Sequence, residues 1–560
     1  MMFGDPSKPL IVQGDQSILL ETYNPHFDRA RDDITPFCEL EKSPEHIHSY
    51  RLTSLSLWNA ASSGLESGDI IDRLERWARF PVPQNVKVFI EDIIGRYGSL
   101  ILSDTEDPMM LRLDISDPLI YKELKNRKTL EKYLLPDNNG FLVNLLNRGS
   151  VKVDLIKLGY PVKDVGSLAS GDPLEISLRD KTESGFPFAV RDYQEEAAKA
   201  FYANGEKGSG FGVIVLPCGA GKTIVGIRAI DLLKTKTLIL TTNVAAVHQW
   251  IDELTDKTDI STENICEYSG DRKEIGDITV ATYQILTYRS KKTDDFPHFS
   301  VFRANNWGLI IYDEVHLLPA PVFRITAEIQ AVRRLGLTAT LIREDGRESE
   351  VFSLVGPKRF DVPWKELEQK GWIAEAYCHE IRIELPEDLK VDYASADNRA
   401  KYRIACENYR KEDIVVQLIQ NHRTDSILVI GQYIDQLTRI ADKLKVPLIT
   451  GSTPNRDREI IYKNFKDGRN KIIVVSKVAN FAIDLPDASV AIQISGTFGS
   501  RQEEAQRLGR ILRPKEKNSY FYSIISHYTV EESYALNRQK FLTEQGYKYT
   551  IEMWDDEGPV

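Results

Sequence analysis

Cysteine is scarce in this 560-residue sequence, and its five cysteines lie far apart without a CxxC pair. This spacing disfavours a zinc ribbon or a disulfide framework and fits a reducing compartment. Basic residues are also in deficit, because 72 Lys and Arg stand against 83 Asp and Glu, which gives a net charge of -11. An indiscriminate polyanion binder coated in basic residues is therefore excluded, whereas a locally basic channel for nucleic acid is not.

Long apolar runs and biased segments are missing as well. No stretch of about 18 apolar residues occurs, and the start, MMFGDPSKPLIVQGDQ, has no basic segment followed by an apolar one. We therefore expect a cytoplasmic protein without a membrane partner. With 42% hydrophobic and 28% charged residues, the composition is that of a globular protein, and the length predicts about three or four domains.

Composition changes along the chain in a way that indicates an α/β protein. Short β-branched runs alternate with helical stretches in two successive regions, as in parallel sheets that are covered by helices on both faces. The predicted divisions are mixed α/β modules at 1–80 and 84–165, a linker at 166–187, parallel-sheet lobes at 188–365 and 413–545, a helical, charged insertion at 371–412, and a C-terminal tail at 546–560.

The stretch VIVLPCGAGKT lies between a predicted strand and a predicted helix. Small residues at Gly219, Ala220 and Gly221 would let backbone N–H groups surround phosphates at the helix N-terminus. Lys222 would then reach the β- and γ-phosphates, and the Thr223 hydroxyl would bind Mg²⁺. The strand and helix context favours a nucleotide-binding loop.

Two neighbouring acids follow the apolar run LIIY. Asp313 would hold Mg²⁺ through water, and Glu314 would polarise the attacking water as a general base. A solvated acidic loop is the alternative, with His316 as an ordinary surface imidazole. The position of His316 also suits a relay to the next strand end, LGLTAT, where Thr338 and Thr340 can hydrogen-bond toward the acidic loop.

The segment VRDYQEE precedes the phosphate-binding stretch. It offers Arg191 and Gln194 as nucleotide contacts, because a glutamine amide can both donate to and accept from an adenine edge. Taken alone, this segment would be unremarkable.

A cluster of arginines occurs late in the chain, in EEAQRLGRILRP. Gln506, Arg507, Arg510 and Arg513 lie on a predicted helix, and the spacings of three or four residues place the three guanidiniums on one side. A solvated basic face is the alternative. If this side faces a γ-phosphate across a cleft, Arg510 and Arg513 would act as arginine fingers. Asp484, shortly upstream, is a candidate for binding the nucleotide ribose.

The stretches LPCGAGKT, YDEVH, GLTATLIRED, VSKVANFAIDLPDASVAIQ and QRLGRILRPK together resemble superfamily 2 helicases, and specifically the XPB family of DNA repair helicases of bacterial type. Arg343, Glu344 and Asp345 match the RED motif of that family, a DNA-unwinding element. The resemblance covers nearly the whole chain and is most specific over 216–514.

The resemblance implies two RecA-like lobes, a damage-recognition-like module near 84–165 and a thumb-like insertion at 371–412. It implies a 3′–5′ DNA helicase or translocase that uses ATP and Mg²⁺ in DNA repair. Its partners would be single-stranded DNA, single/double-strand junctions and a nuclease or other repair protein. The TTNVAAVHQW, ATYQIL and GQYID loops are suited to phosphate contacts without base readout.

Other functions stay open at this point. An RNA helicase or a duplex-DNA translocase that does not separate strands would use the same motifs. A nucleotide-switched scaffold that recruits a repair partner belongs to a different class. The intact Lys222, Glu314 and Arg510 disfavour the scaffold, because a pure binding module does not require a hydrolytic carboxylate.

Overall fold

A computed structural model describes most of the chain. The described residues are 5–42, 46–62, 64–107, 109–144, 147–165, 171–202, 210–217, 219–286, 288, 298, 301, 305–317, 333–339, 348–362, 364–476, 488–496, 504, 507–509, 511, 518–555 and 558–559. They divide into two compact units, one of Met1–Leu216 and Gly221–Asp361 and the other of Pro217–Ala220 and Val362–Val560. In this described part, no helix combines the length and the apolar character needed to cross a membrane.

The first N-terminal module contains an antiparallel sheet and helices. Its elements are β1 (Leu10–Val12), β2 (Ser17–Glu21), α1 (Phe27–Ile34), β3 (Glu39–Lys42), β4 (Ile47–Arg51), α2 (Ser54–Ser62), α3 (Ser67–Trp77) and α4 (Gln84–Arg96). The strand order is β1-β2-β4-β3. Although α4 lies in the range predicted for the second module, its Val86, Ile90 and Ile93 are buried in the core of the first, because helical spacing places them on one face.

The second N-terminal module contains a mixed sheet. Its elements are β5 (Leu100–Asp104), β6 (Met110–Ile115), α5 (Pro118–Lys125), β7 (Leu134–Asp137), β8 (Gly140–Asn144), α6 (Arg148–Lys157) and β9 (Val162–Asp164). The strand order is β7-β8-β6-β5-β9, and only the pair β5 and β9 is parallel. Alternate residues such as Leu100, Leu102 and Leu113 are buried, as in a sheet with one covered face. Both modules are mixed α/β, as the sequence predicts.

Among the described residues of the first lobe, seven parallel strands form one sheet in the order β12-β13-β11-β14-β15-β10-β16. Strands β10, β11 and β13 are apolar and buried almost throughout, as expected for a sheet covered on both faces. The elements are α7 (Asp192–Tyr202), β10 (Phe211–Val215), α8 (Lys222–Leu233), β11 (Thr237–Thr241), α9 (Val244–Lys257), β12 (Ile265–Tyr268), β13 (Ile278–Thr282), α10 (Tyr283–Leu286), β14 (Leu309–Asp313), β15 (Arg333–Thr338), α11 (Glu348–Leu354) and β16 (Lys358–Asp361).

The described part of the second lobe contains eight strands, which are parallel except for the last pair, β23 and β24. The elements are α12 (Trp364–Gln369), β17 (Ala376–Ile383), α13 (Glu387–Ser395), α14 (Asn398–Cys406), α15 (Arg410–Asn421), β18 (Ile427–Gly431), α16 (Ile434–Leu444), β19 (Leu448–Ile449), α17 (Asn455–Lys466), β20 (Ile472–Ser476), β21 (Val490–Gln493), β22 (Ser519–Ser526), α18 (Val530–Glu544), β23 (Tyr549–Asp555) and β24 (Gly558–Pro559). The strand order is β19-β20-β18-β21-β22-β17-β23-β24, so the predicted pair of parallel-sheet lobes is confirmed.

The segment predicted as a helical insertion, 371–412, contains both a strand and helices. Its strand β17 lies between β22 and β23 and is parallel to both. The buried Ile381 and Ile383 of β17 belong to the hydrophobic core of the second lobe. Helices α13 and α14 follow, and α13 has no buried residue. The helical character predicted for this range therefore applies after β17.

Candidate functional site

The glycine-rich loop between β10 and α8 has two residues in the left-handed backbone region. Gly219 has φ 81° and Gly221 has φ 78°, a conformation that glycine adopts without a steric cost from Cβ. Helix α8 begins directly after Gly221, so Lys222 and Thr223 are its first two residues. A helix N-terminus with free backbone N–H groups favours anions, and the structure places both side chains beside it.

The acidic pair lies at the carboxyl end of β14. Asp313 accepts hydrogen bonds from the indole N–H of Trp250 (3.1 Å) and from the backbone N–H of Glu314 (3.0 Å). Burial, followed by the neighbouring Glu314 carboxylate, raises the pKa of Asp313 to about 6, although Lys222 and the Trp250 bond oppose this shift. A divalent cation would favour the ionised form of Asp313, because it would supply positive charge beside a carboxylate that is costly to ionise.

Glu314 contacts the ammonium group of Lys222 and the imidazole of His316. The Lys222 Nζ lies 3.8 Å from Glu314 Oε1, and the His316 Nδ1 lies 3.3 Å from Glu314 Oε2. Glu314 has φ 51°, a left-handed conformation that is uncommon for a residue other than glycine and directs the chain into the short 3₁₀ turn Val315–Leu317.

His316 connects this turn to the end of the neighbouring strand β15. Its Nδ1 lies 3.0 Å from the Thr338 hydroxyl oxygen, and both side chains are buried. His316 is only 2% exposed, so it is not a surface imidazole. The structure therefore brings Lys222, Glu314, His316 and Thr338 into one continuous set of contacts.

Gln194 lies next to the glycine-rich loop. Its Oε1 accepts a hydrogen bond from the backbone N–H of Arg191 (3.0 Å), which closes the turn before α7. A Cβ added to Gly221 would lie 2.5 Å from the Gln194 Nε2, so the loop approaches the amide closely because residue 221 is glycine. Arg191 also donates to the Tyr193 hydroxyl oxygen at 3.2 Å.

Two aromatic residues contact Asp313, although the stretches that contain them, TTNVAAVHQW and ATYQIL, were predicted to contact a nucleic-acid strand and were not assigned to the acidic pair. Trp250 of α9 donates to the Asp313 carboxylate, and Tyr283 of α10 donates to the Asp313 carbonyl oxygen at 2.9 Å. A Cβ on Gly226 of α8 would lie 2.5 Å from the Trp250 ring, so the glycine allows the indole to reach Asp313. A glycine in the middle of an apolar helix, in TIVGIR, is the sequence signal that indicates close packing there.

A cavity of about 360 Å³ lies in the first unit at the carboxyl ends of β11 and β13. Six of its eight lining residues come from the two stretches of this unit that were predicted to contact a nucleic-acid strand, and the other two are Gly270 and Tyr288. Asn243 caps α9 by accepting from the Ala246 N–H (2.9 Å), and Gln284 donates to the Thr242 carbonyl oxygen (2.6 Å). The lining residues are Thr242, Asn243, Val244, Gly270, Thr282, Gln284, Ile285 and Tyr288.

Of the three arginines in the predicted cluster, Arg507 lies in the described part of the structure. This side chain is fully buried in the second unit and donates to the Gln493 side-chain oxygen at the end of β21, so it is not part of a solvated face. Glu504 is also buried and lies 3.5 Å from Arg538. Several predicted site residues lie outside the described part, namely Thr340, Arg343, Glu344, Asp345, Asp484, Gln506, Arg510 and Arg513.

Comparison with known proteins gives consistent matches along the chain. The family profiles that match are ERCC3/RAD25/XPB C-terminal helicase over 367–555, Helicase conserved C-terminal domain over 10–138 and Type III restriction enzyme, res subunit, over 187–343. The DNA 3′-5′ helicase XPB of Kineococcus radiotolerans is 48% identical over 98% of this chain and 97% of its own length.

More distant relatives match along a similar extent. The protein of the same name from Mycobacterium tuberculosis is 46% identical over 98% of each chain. The General transcription and DNA repair factor IIH helicase/translocase subunit XPB of Encephalitozoon cuniculi is 34% identical over 97% of this chain and 83% of its own length.

The fold and the site on their own define a class of protein. A glycine turn leading into a helix, a lysine on that helix and an acid pair at the end of a nearby strand are the parts of a P-loop nucleotide hydrolase, here in the first of two parallel-sheet lobes. The similar proteins identify the family within this class of P-loop hydrolases. The chain belongs to the XPB family of DNA helicases.

Proposed function

We propose that the protein is an ATP-dependent 3′–5′ DNA helicase or translocase that acts in DNA repair in the cytoplasm. The observation that carries this proposal is the contact of Lys222 with Glu314 beside the buried Asp313, since a phosphate-binding lysine, a general base and a metal ligand would stand together there. A nucleotide-switched scaffold would need a site that binds the nucleotide, but no general base. The bacterial relatives named DNA 3′-5′ helicase support the same reaction and polarity.

The geometry supports a division of labour among the side chains of the first lobe. Lys222 would bind the β- and γ-phosphates, which would draw its ammonium group away from Glu314 and leave this carboxylate able to accept a proton from the attacking water. His316 and Thr338 would hold the turn in place. Gly219, Ala220 and Gly221 would surround the phosphates, and Arg191 and Gln194 would contact the base.

Mg²⁺ fits the residues present. The Thr223 hydroxyl and the Asp313 carboxylate are hard oxygen ligands, and the raised pKa of Asp313 indicates a place where positive charge is favourable. When bound, the ion would neutralise part of the phosphate charge. These two residues would hold it, in part through water.

Residues of the second lobe would complete the reaction. We assign transition-state stabilisation to Arg510 and Arg513, nucleotide ribose binding to Asp484, and the coupling of hydrolysis to DNA to Thr340, Gln506 and Arg507, on the sequence pattern alone. Arg343, Glu344 and Asp345 would act in strand separation. The burial of Arg507 favours a structural contribution to coupling over direct DNA contact.

DNA would bind along the cavity of the first unit. Thr242, Asn243 and Gln284 line this cavity, and they belong to the stretches TTNVAAVHQW and ATYQIL, whose residue types suit phosphate contacts without base readout. Single strands and single/double-strand junctions are the expected DNA forms. The relatives named as subunits of a transcription and DNA repair factor also support a role beside a partner, for which a nuclease or another repair protein is our candidate.

Strand displacement tests the polarity and the substrate together. We expect DNA to stimulate ATP hydrolysis and the protein to displace a strand from a duplex that carries a 3′ single-stranded tail, because a 3′–5′ enzyme loads on that tail. Rates of hydrolysis with single-stranded DNA, duplex DNA and RNA are compared, alongside displacement from substrates with 3′ or 5′ tails. A strict requirement for a 5′ tail, or stimulation by RNA alone, would contradict the proposal. Stimulation by duplex DNA without displacement would identify a translocase.

Substitution of Gly221 tests the nucleotide-binding role of the glycine-rich loop. We expect Gly221→Ala to weaken ATP binding about tenfold, because a residue with a Cβ in the left-handed region costs roughly 1–2 kcal/mol. The new methyl group would also lie 2.5 Å from the Gln194 Nε2. Titration with a fluorescent ATP analogue measures the affinity. Gly95→Ala is the matched control, since this exposed helical glycine has no atom within 4 Å of an added Cβ; equal affinities of the two variants would contradict the assignment.

A further inference from the structure

Helix α6 of the second N-terminal module belongs to the core of the first lobe. Val153 of this helix is buried in the same hydrophobic cluster as Val213 of β10, Tyr312 of β14 and Val315 of the 3₁₀ turn Val315–Leu317. Val351 of α11 joins them, and α11 packs against α6. The second module is therefore a structural part of the lobe that carries the acidic pair.

A buried ion cluster lies where this module meets the sheet. Asp164, at the end of β9, is 2% exposed and accepts from Arg148 Nε (2.9 Å) and Lys152 Nζ (3.0 Å) of α6. The guanidinium of Arg334, from β15 of the lobe, lies 3.8 Å from the same carboxylate and is 1% exposed. One module carboxylate thus contacts cations from both the module and the lobe.

Arg334 depends on Asp164 for its charge compensation. Its Nε and Nη1 have no hydrogen-bond acceptor among the described residues, and Asp164 is the carboxylate that the described structure places beside it. Burial lowers the pKa of Arg334, and Asp164 opposes this effect. A buried cation with one charge partner holds that partner strongly, because separation would leave both ions desolvated.

One face of β15 holds both the arginine that pairs with the second module and the residues that pack against the 3₁₀ turn Val315–Leu317. Successive side chains of a strand alternate between faces, so Arg334, Gly336 and Thr338 lie on one face. A Cβ on Gly336 would lie 2.9 Å from the Val315 Cγ2, so Val315 packs directly on this glycine. Thr338 contacts His316 at 3.0 Å.

We propose that Asp164 and Arg334 are positioning residues for ATP hydrolysis. The ion pair between the second module and β15 fixes the strand face on which Val315 and His316 pack, and Glu314 directly precedes these two residues in the chain. Loss of the pair would displace the Glu314 carboxylate from its working position. This inference rests on the proposed ATP hydrolysis, and it makes the second module a required part of the hydrolytic lobe.

Arg334→Met tests the ion pair between Asp164 and Arg334 with the least disturbance of the second module. The change removes one of the cations and keeps a long side chain, while Arg148 and Lys152 still compensate Asp164. We expect kcat per nucleotide-binding molecule to fall about tenfold or more, because small displacements of a catalytic group have effects of this size. The KM for ATP should stay within about twofold, since the residues of the glycine-rich loop are unchanged.

Additional variants separate positioning from folding. Asp164→Asn should lower kcat similarly, and the double variant should be no worse than the more affected single variant, because both changes break the same pair. Arg334→Lys should restore most of kcat, since it keeps the charge. Asp137→Asn is the matched control: this carboxylate of the same module pairs with Arg112 in a partly exposed position, and its loss should leave kcat unchanged.

The measurements are steady-state hydrolysis, counting of sites with a tight fluorescent ATP analogue, and thermal unfolding of the full chain. If Arg334→Met keeps the wild-type kcat per site, or if activity falls only in proportion to the folded fraction, the inference is wrong while the proposed function stands. If Asp164→Asn does not fold, the Arg334→Met result decides. An inactive wild-type protein would instead overturn the proposed function.

Discussion

We expect Glu314→Gln to remove most ATP turnover and to leave nucleotide binding intact. The glutamine has the same shape, and its amide can still accept one contact near Lys222, but it cannot take a proton from water. Loss of a general base lowers turnover by about 10²–10⁴. The amide also removes the negative charge that contributes to the raised pKa of Asp313, so metal-dependent nucleotide binding should not weaken.

Rapid-quench hydrolysis and titration with an ATP analogue measure the two effects separately. Glu91→Gln provides the matched control, because this exposed glutamate on α4 undergoes the same chemical change far from the acidic pair in sequence. Full turnover in Glu314→Gln would show that another group acts as the base. Loss of both binding and turnover would show that the carboxylate has a structural role in the loop.

The local motifs could be predicted from the sequence because their chemistry depends on neighbouring residues. A glycine turn before a helix and two acids after an apolar strand specify their own backbone surroundings, and the structure gives Gly221 and Glu314 the left-handed conformations of tight turns. The parallel order of both sheets follows from the alternation of apolar strands with helices.

The contacts between distant segments could not be predicted in this way. Trp250 reaches Asp313 across 63 positions of sequence, and only the missing side chain of Gly226 makes room for it. Asp164 and Arg334 are ordinary charged residues by composition, and their pairing depends on how α6 packs against the sheet. Likewise, α4 and β17 have local patterns that identify a helix and a strand, but these patterns do not specify which core or sheet each element joins.

Lys222→Met has the second large expected effect, and it differs in kind from the effect of Glu314→Gln. Methionine keeps the aliphatic length and removes the ammonium group, so the phosphates lose a charged contact and Glu314 loses its cationic neighbour at 3.8 Å. The pKa of Asp313 should rise further, since Lys222 is one of the groups that lower it. Both changes disfavour ATP with Mg²⁺, and we expect kcat/KM to fall by about 10²–10³.

The distinguishing measurement is the affinity for an ATP analogue at fixed Mg²⁺. It should be strongly reduced in Lys222→Met and close to wild type in Glu314→Gln. Lys199→Met, on the exposed side of α7, is the matched control and should keep both affinity and turnover. The double variant of Lys222 and Glu314 should be far less impaired than the product of the single effects, because the two side chains act on the same hydrolytic step, one on the phosphate and the other on the attacking water. Independent, multiplicative effects would mean that Lys222 and Glu314 act in separate steps.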